Sequence, residues 1–181
     1  MNPISFAKKS LVVILALSLA VAGCRKDEDT ENEVITTVVV QLKSTDDSFD
    51  REFTWSDPDG DGGAMPTVED IVLPGNKEFN VQLRFFDRSK SPEKDLTPEI
   101  EVESNEHLVV YRIQGSPNLT ITPTDTDAKG RPFRLKTRWT TGGASMGSVV
   151  ITLRHNPNKN LSNPDVTGSV DAEVEFPVRI Q

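Results

Sequence analysis

From residue 34 onward, apolar side chains fall on alternate positions, the period of a half-buried strand. Residues 34–43 are dense in β-branched side chains, with Val38, Val40 and Leu42 on one face. Phe49, Phe53 and Trp55 share one parity. Residues 78–87 set Phe79, Val81, Leu83 and Phe85 against Asn80, Gln82 and Arg84. Residues 108–113 and 119–122 are shorter apolar runs. Residues 132–140 alternate Phe133, Leu135, Thr137 and Trp139 with Arg134, Lys136 and Arg138, and residues 148–155 turn Val149, Ile151 and Leu153 inward. The last run is the cleanest: Val170, Ala172, Val174, Phe176, Val178 and Ile180 alternate with Asp171, Glu173, Glu175, Pro177 and Arg179. Pro177 falls on the polar parity. It has no N–H to donate to a ladder, which predicts an edge or a bulge there.

Turn residues separate these runs, as in Pro58-Asp59-Gly60, Pro74-Gly75-Asn76 and Asn156-Pro157-Asn158. One stretch, 92–107, reads two ways. Thr97 as cap with Pro98 at the first helical position opens a short helix; Ile100 and Val102 equally continue a strand. The pattern predicts an all-β fold, an antiparallel two-sheet sandwich in the immunoglobulin-like style with seven to nine strands. A closed barrel is the alternative. A membrane-spanning barrel is disfavoured, because the polar faces carry charge throughout and no aromatic girdle recurs.

The first 33 residues follow another logic. Lys8 and Lys9 precede an uncharged run, Leu11 to Ala22, that is shorter than the ~20 apolar residues needed to span a bilayer. It ends in Val21-Ala22-Gly23-Cys24. Small residues before the only cysteine of the chain resemble a bacterial lipobox. That resemblance implies cleavage after residue 23 and lipid on Cys24. Each buried CH₂ contributes about 0.8 kcal/mol, so two or more acyl chains hold where one would let go. The expected organisation is a signal peptide over 1–23, a flexible acidic linker over 24–33 and one domain over 34–181. Arg25-Lys26-Asp27-Glu28-Asp29 resembles the surface-export signal of Bacteroidota lipoproteins. The outer face of the outer membrane is therefore the expected location, with a periplasm-facing membrane as the alternative.

Cleavage would remove two bases and no acids, leaving 18 basic residues against 28 acidic ones, a net charge of −10. Such a chain is not expected to bind nucleic acid or anionic lipid through net charge. The mature domain would hold no cysteine, so no disulfide is expected, and two histidines give zinc, iron–sulfur or haem sites few ligands. His107 and His155 read as surface or strand-end residues, since neither has the i, i+4 partner of a metalloprotease helix.

The loop Asp57-Pro58-Asp59-Gly60-Asp61-Gly62 places Asp57, Asp59 and Asp61 at alternate positions, as in the first half of a calcium-binding loop. Its twelfth position is Val68, so the EF-hand pattern fails, and a plain acidic turn is the other reading. Calcium is the one cofactor the residues suggest, and none is required. The turn 125–130 is weaker, because Lys129 would repel a cation. Gly143-Ala144-Ser145-Met146-Gly147 has the letters of a nucleophile elbow, but a strand and not a helix follows it, which makes it a hairpin connection. Glu101/Glu103 and Glu173/Glu175 are pairs of a kind that glycosidases use, and they read as solvated faces.

Charge is segregated. Residues 44–70 hold nine acids and one base, and residues 129–138 hold five bases and no acid. The bases Arg134, Lys136 and Arg138 are expected either to pair across strands with Asp171, Glu173 and Glu175, or to form a docking patch.

The lipobox, Glu33-Val34-Ile35-Thr36-Thr37-Val38, the Asp57–Gly62 loop, Asn105-Glu106-His107, and Leu153-Arg154-His155-Asn156-Pro157-Asn158-Lys159 together resemble a group of small uncharacterised Bacteroidota lipoproteins. Some of these carry a "type 1 periplasmic binding fold" label. That label implies two α/β lobes, and the residues show neither helices nor Gly-rich βα turns. The resemblance supplies no activity and no binding residues. The expected function is a non-catalytic, membrane-anchored envelope or surface lipoprotein that presents a β-sandwich to a protein or glycan. The alternatives are a structural or assembly subunit of an outer-membrane complex, and a glycan-active enzyme. A glycan binder should expose aromatics from a groove, and the parity of Trp55 and Trp139 points to the core instead.

Overall fold

The long alternating runs become strands, because ladder pairing satisfies backbone groups while one face is buried. In the computed structural model, which describes residues 34–60 and 62–181, the elements run β1 (Thr37–Ser44), β2 (Asp50–Ser56), β3 (Thr67–Val68), β4 (Ile71–Leu73), β5 (Glu78–Asp87), β6 (Lys94–Asp95), α1 (Thr97–Val102), β7 (His107–Gly115), β8 (Leu119–Pro123), β9 (Lys136–Thr141), β10 (Ser145–His155) and β11 (Ser169–Ile180). The predicted signal peptide, Cys24, the linker 24–33 and Asp61 lie outside the described residues.

The strands form two sheets, not a barrel. One has seven strands in the order β3-β2-β1-β5-β9-β8, with β6 also on β5, and the other has four in the order β4-β11-β10-β7. All pairs are antiparallel except β4 with β11, where Ile71 to Leu73 run parallel to Val178 to Ile180. The apolar parities of both sheets meet between them. Val38, Val40, Phe79, Leu83 and Trp139 from the larger sheet share one core with Val149, Ile151, Val174, Phe176 and Ile180 from the smaller. Side chains of this size contribute about 1.5–3 kcal/mol each when fully buried.

Eight of the eleven strands are those the alternation predicts. The other three, β3, β4 and β6, have two or three residues and are too short to show a period. The ambiguous stretch is helical at Thr97–Val102, with Ile100 buried and Val102 at the surface. Thr97 is not its cap. The Thr97 hydroxyl accepts the Phe85 N–H at 3.0 Å, and Asp95 Oδ1 accepts the Thr97 N–H at 3.0 Å.

The run 132–140 becomes a strand only from Lys136. Arg134 has φ 67°, which breaks extension. The two oxygens of Asp125 hold this kink, accepting the N–H groups of Arg134 at 2.7 Å and Lys136 at 2.8 Å. Phe133 and Leu135 are nevertheless buried. The predicted ladder between these bases and Asp171, Glu173 and Glu175 does not form, because β9 and β11 belong to different sheets. Arg134 pairs instead with Asp165 at 2.7 Å, and Lys136 with Glu101 of α1 at 2.9 Å.

The alternation of the last strand fails near its start. β11 pairs with β10 in register until Leu153 faces Ala172; the next pair is Arg154 with Val170. Asp171 is the extra residue of a β-bulge, which flips the parity of everything before it. Val170, on the apolar parity, is 40% exposed, whereas the Asp171 side chain is fully enclosed.

Gly168 makes the approach to this bulge possible. Its φ is 79°, and a Cβ there would lie 2.3 Å from the His155 carbonyl oxygen and 2.9 Å from the Pro157 nitrogen. Gly168→Ala is therefore expected to destabilise by more than about 1 kcal/mol, from left-handed strain plus a backbone clash. Urea denaturation checks this, and an unchanged midpoint would contradict the placement of the bulge.

Candidate functional site

The bulge brings Asp171 to the two histidines. His107 opens β7 and His155 closes β10, and they are cross-strand partners on the same rung. Neighbours on one rung share a face, and their rings stack with centroids 4.9 Å apart at 16°. Asp171 Oδ2 lies 3.6 Å from His107 Nε2, and Asp171 Oδ1 lies 3.7 Å from His155 Nδ1. These separations exceed a hydrogen bond. Neither nitrogen and neither oxygen has a hydrogen-bond partner among the described residues, and all four atoms are buried.

Of the expectation that the histidines are surface or strand-end residues, the strand-end half holds and the surface half does not. His107 is fully buried, and the side chain of His155 is only 13% exposed. They occupy the inward parity at a strand end, where the sandwich interior continues. Burial, with His155 beside it, pushes the His107 imidazole down to about 4, so it is neutral at neutral pH. Its Nδ1 faces the Glu103 carbonyl oxygen at 3.3 Å. A carbonyl only accepts, so Nδ1 carries the proton and Nε2 presents a lone pair. That lone pair points at the Asp171 carboxylate, which has only acceptors when ionised. Burial pushes the Asp171 carboxyl up, with His155 opposing. An unsatisfied buried polar group costs about 1–3 kcal/mol, so four of them converging is a costly arrangement unless something bridges them.

A second feature lies on the outer face of the larger sheet. A trough of about 450 Å³ crosses four adjacent strands. Two rungs build its floor. One runs Glu52, Gln41, Gln82, Lys136 and the other Asp50, Lys43, Asn80, Arg138, from β2 through β1 and β5 to β9. Acids line the β2 bank and bases the β9 bank, and between them stand three amides and, beside Asp50, the base Lys43. None of the residues lining it is aromatic. Trp139 is fully buried and Trp55 packs on the core, as their parity predicts.

The other sequence candidates lie apart from both features. Asp59 Oδ2 accepts the Ala64 N–H at 2.8 Å, which holds its carboxyl below the ordinary value. Asp61, the third acid of the calcium pattern, lies outside the described residues, as does Cys24. Ser145 opens β10, where its hydroxyl accepts the Asn118 N–H at 2.8 Å and donates to the Gly143 carbonyl oxygen. Glu173 and Glu175 accept hydrogen bonds from Thr152 and Ser148.

Alternation could not reveal the histidine–aspartate cluster, because it assigned Asp171 to the solvent face. Register supplies the missing signal: two histidines on one rung, beside a strand that reaches them through a glycine with positive φ. No helix among the described residues is long and apolar enough to cross a membrane. No protein-family model, curated protein or solved structure matches the chain.

Proposed function

We propose that this chain is a lipid-anchored envelope lipoprotein whose sandwich is a non-catalytic binding module, and that the trough on the larger sheet is the face it offers to a protein partner. The observation that carries the reading is the two-rung trough, with Asp50 and Glu52 on its β2 bank, Lys136 and Arg138 on its β9 bank, and Lys43 beside Asp50 between them. Such a surface favours a partner segment of opposite polarity, basic toward β2 and acidic toward β9. The lack of an aromatic platform in the trough favours polypeptide over sugar. The tether follows from the lone cysteine placed directly after Val21-Ala22-Gly23.

The test is site-specific photocrosslinking in the native kind of host. A crosslinker at Asn80, in the trough, is expected to give one discrete adduct in the envelope. One at Glu173, on the other sheet, should give none, and Lys136→Glu with Arg138→Glu should abolish the Asn80 adduct while leaving the melting temperature within a few degrees. Equal or absent adducts at the two sites would remove the trough as the binding face.

A further inference from the structure

We infer that His107, His155 and Asp171 form a binding site for one divalent d-block cation of the zinc type. This is independent of the trough and of the lipid anchor.

The geometry supports a cation more fully than it supports ion pairing. One ligand atom from each of the three residues lies within 4.8 Å of the other two. Zinc bonds of about 2.0–2.2 Å in a tetrahedron put neighbouring ligand atoms roughly 3.4 Å apart, close to the 3.6 Å and 3.7 Å seen here. A proton on Asp171 could relieve its contact with one imidazole and would leave the other nitrogen unpartnered. A cation satisfies all three residues at once.

The chemistry of the donors points the same way. Two imidazoles and one carboxylate suit zinc and its neighbours better than calcium or magnesium, which prefer all-oxygen shells. His107 also has the outer partner typical of a metal-bound histidine: its far ring nitrogen is held by the Glu103 carbonyl oxygen. The nearby Lys159 ammonium is itself engaged, by the Ser104 carbonyl oxygen at 2.6 Å and Asp127 at 3.4 Å. Three protein ligands leave a fourth position for water or a further donor, and the partly exposed His155 marks the side of entry.

The experiment is calorimetric titration of the full-length chain in detergent with Zn²⁺ alone. Cys24 is present in every sample, so its contribution cancels between variants. One equivalent should bind to the wild type and raise its melting temperature by several degrees. Asp171→Asn keeps the shape and removes the charge, and should weaken binding by about 100-fold or more. Glu106→Gln, at an exposed neighbouring position, should bind as the wild type does. If Asp171→Asn fails to fold by circular dichroism, His155→Gln takes its place. Zinc X-ray absorption on the wild type needs no variant and should show two imidazoles and no sulfur. A wild type that takes up no zinc, an Asp171→Asn form that binds equally, or a shell without imidazole would overturn the assignment.

Discussion

Trp139→Ala is expected to cost about 3–5 kcal/mol of folding stability, the range for removing a large aromatic from a packed core. Trp139 is fully buried on β9, where the register sets it against Phe79 on one side and Ile121 on the other. Its indole N–H donates to the Thr137 hydroxyl at 3.0 Å, and its ring meets Tyr111 of the smaller sheet edge-on at 6.3 Å. The substitution removes this edge-on contact between the sheets and the partner of the indole-bound Thr137 hydroxyl. Denaturant titration measures the effect. A loss below about 1 kcal/mol would mean that the sheets do not close over this residue.

The second large effect is expected at Asp127, where a charge network is enclosed. Asp127 and Lys159 both have fully buried side chains, and Arg131 binds the same carboxylate at 2.9 Å. Burial alone would raise the Asp127 carboxyl. The backbone and guanidinium hydrogen bonds of Arg131, the Lys129 N–H and the Lys159 charge outweigh burial and bring it down to about 2. Lys159 is pushed below its ordinary value by burial, against the pull of Asp127. Removing one partner of a buried pair leaves the other charge uncompensated, so Asp127→Ala should destabilise by about 3–5 kcal/mol. Asp127→Ala with Lys159→Met should recover most of that loss. A double mutant no more stable than Asp127→Ala would contradict the pairing.

The pH dependence of this network has a definite sign. The folded-state value of Asp127 lies below the unfolded 3.8, so its contribution is complete above about pH 4. It is lost as pH falls from about 4 toward about 2. Asp127→Asn should flatten that part of the stability profile.

The fold was legible where burial has a simple period. β5 and β11 alternate buried with more exposed positions over eight residues each, 78–85 and 173–180, and one buried face forces one register. Legibility ended where geometry departs from period two. The Arg134 kink depends on Asp125, nine residues earlier in sequence, and α1 depends on Asp95 and the backbone of Phe85. The trough was half visible: the bases at Lys136 and Arg138 and the acids near residue 50 stood out. That they meet across β1 and β5 is a property of strand order, which alternation does not encode. The histidine–aspartate cluster was hidden most deeply. It needs a rung shared by residues 48 apart, His107 and His155, and a bulge that inverts one side chain.

The proposed tether is lipid on the single sulfur of Cys24, which would hold the sandwich at a bilayer. Metabolic labelling with palmitate, in a host of the native kind, tests that most directly. The wild type should carry label and sediment with membranes, and Cys24→Ser should carry none and leave the membrane fraction. Equal labelling and sedimentation of the two forms would contradict it.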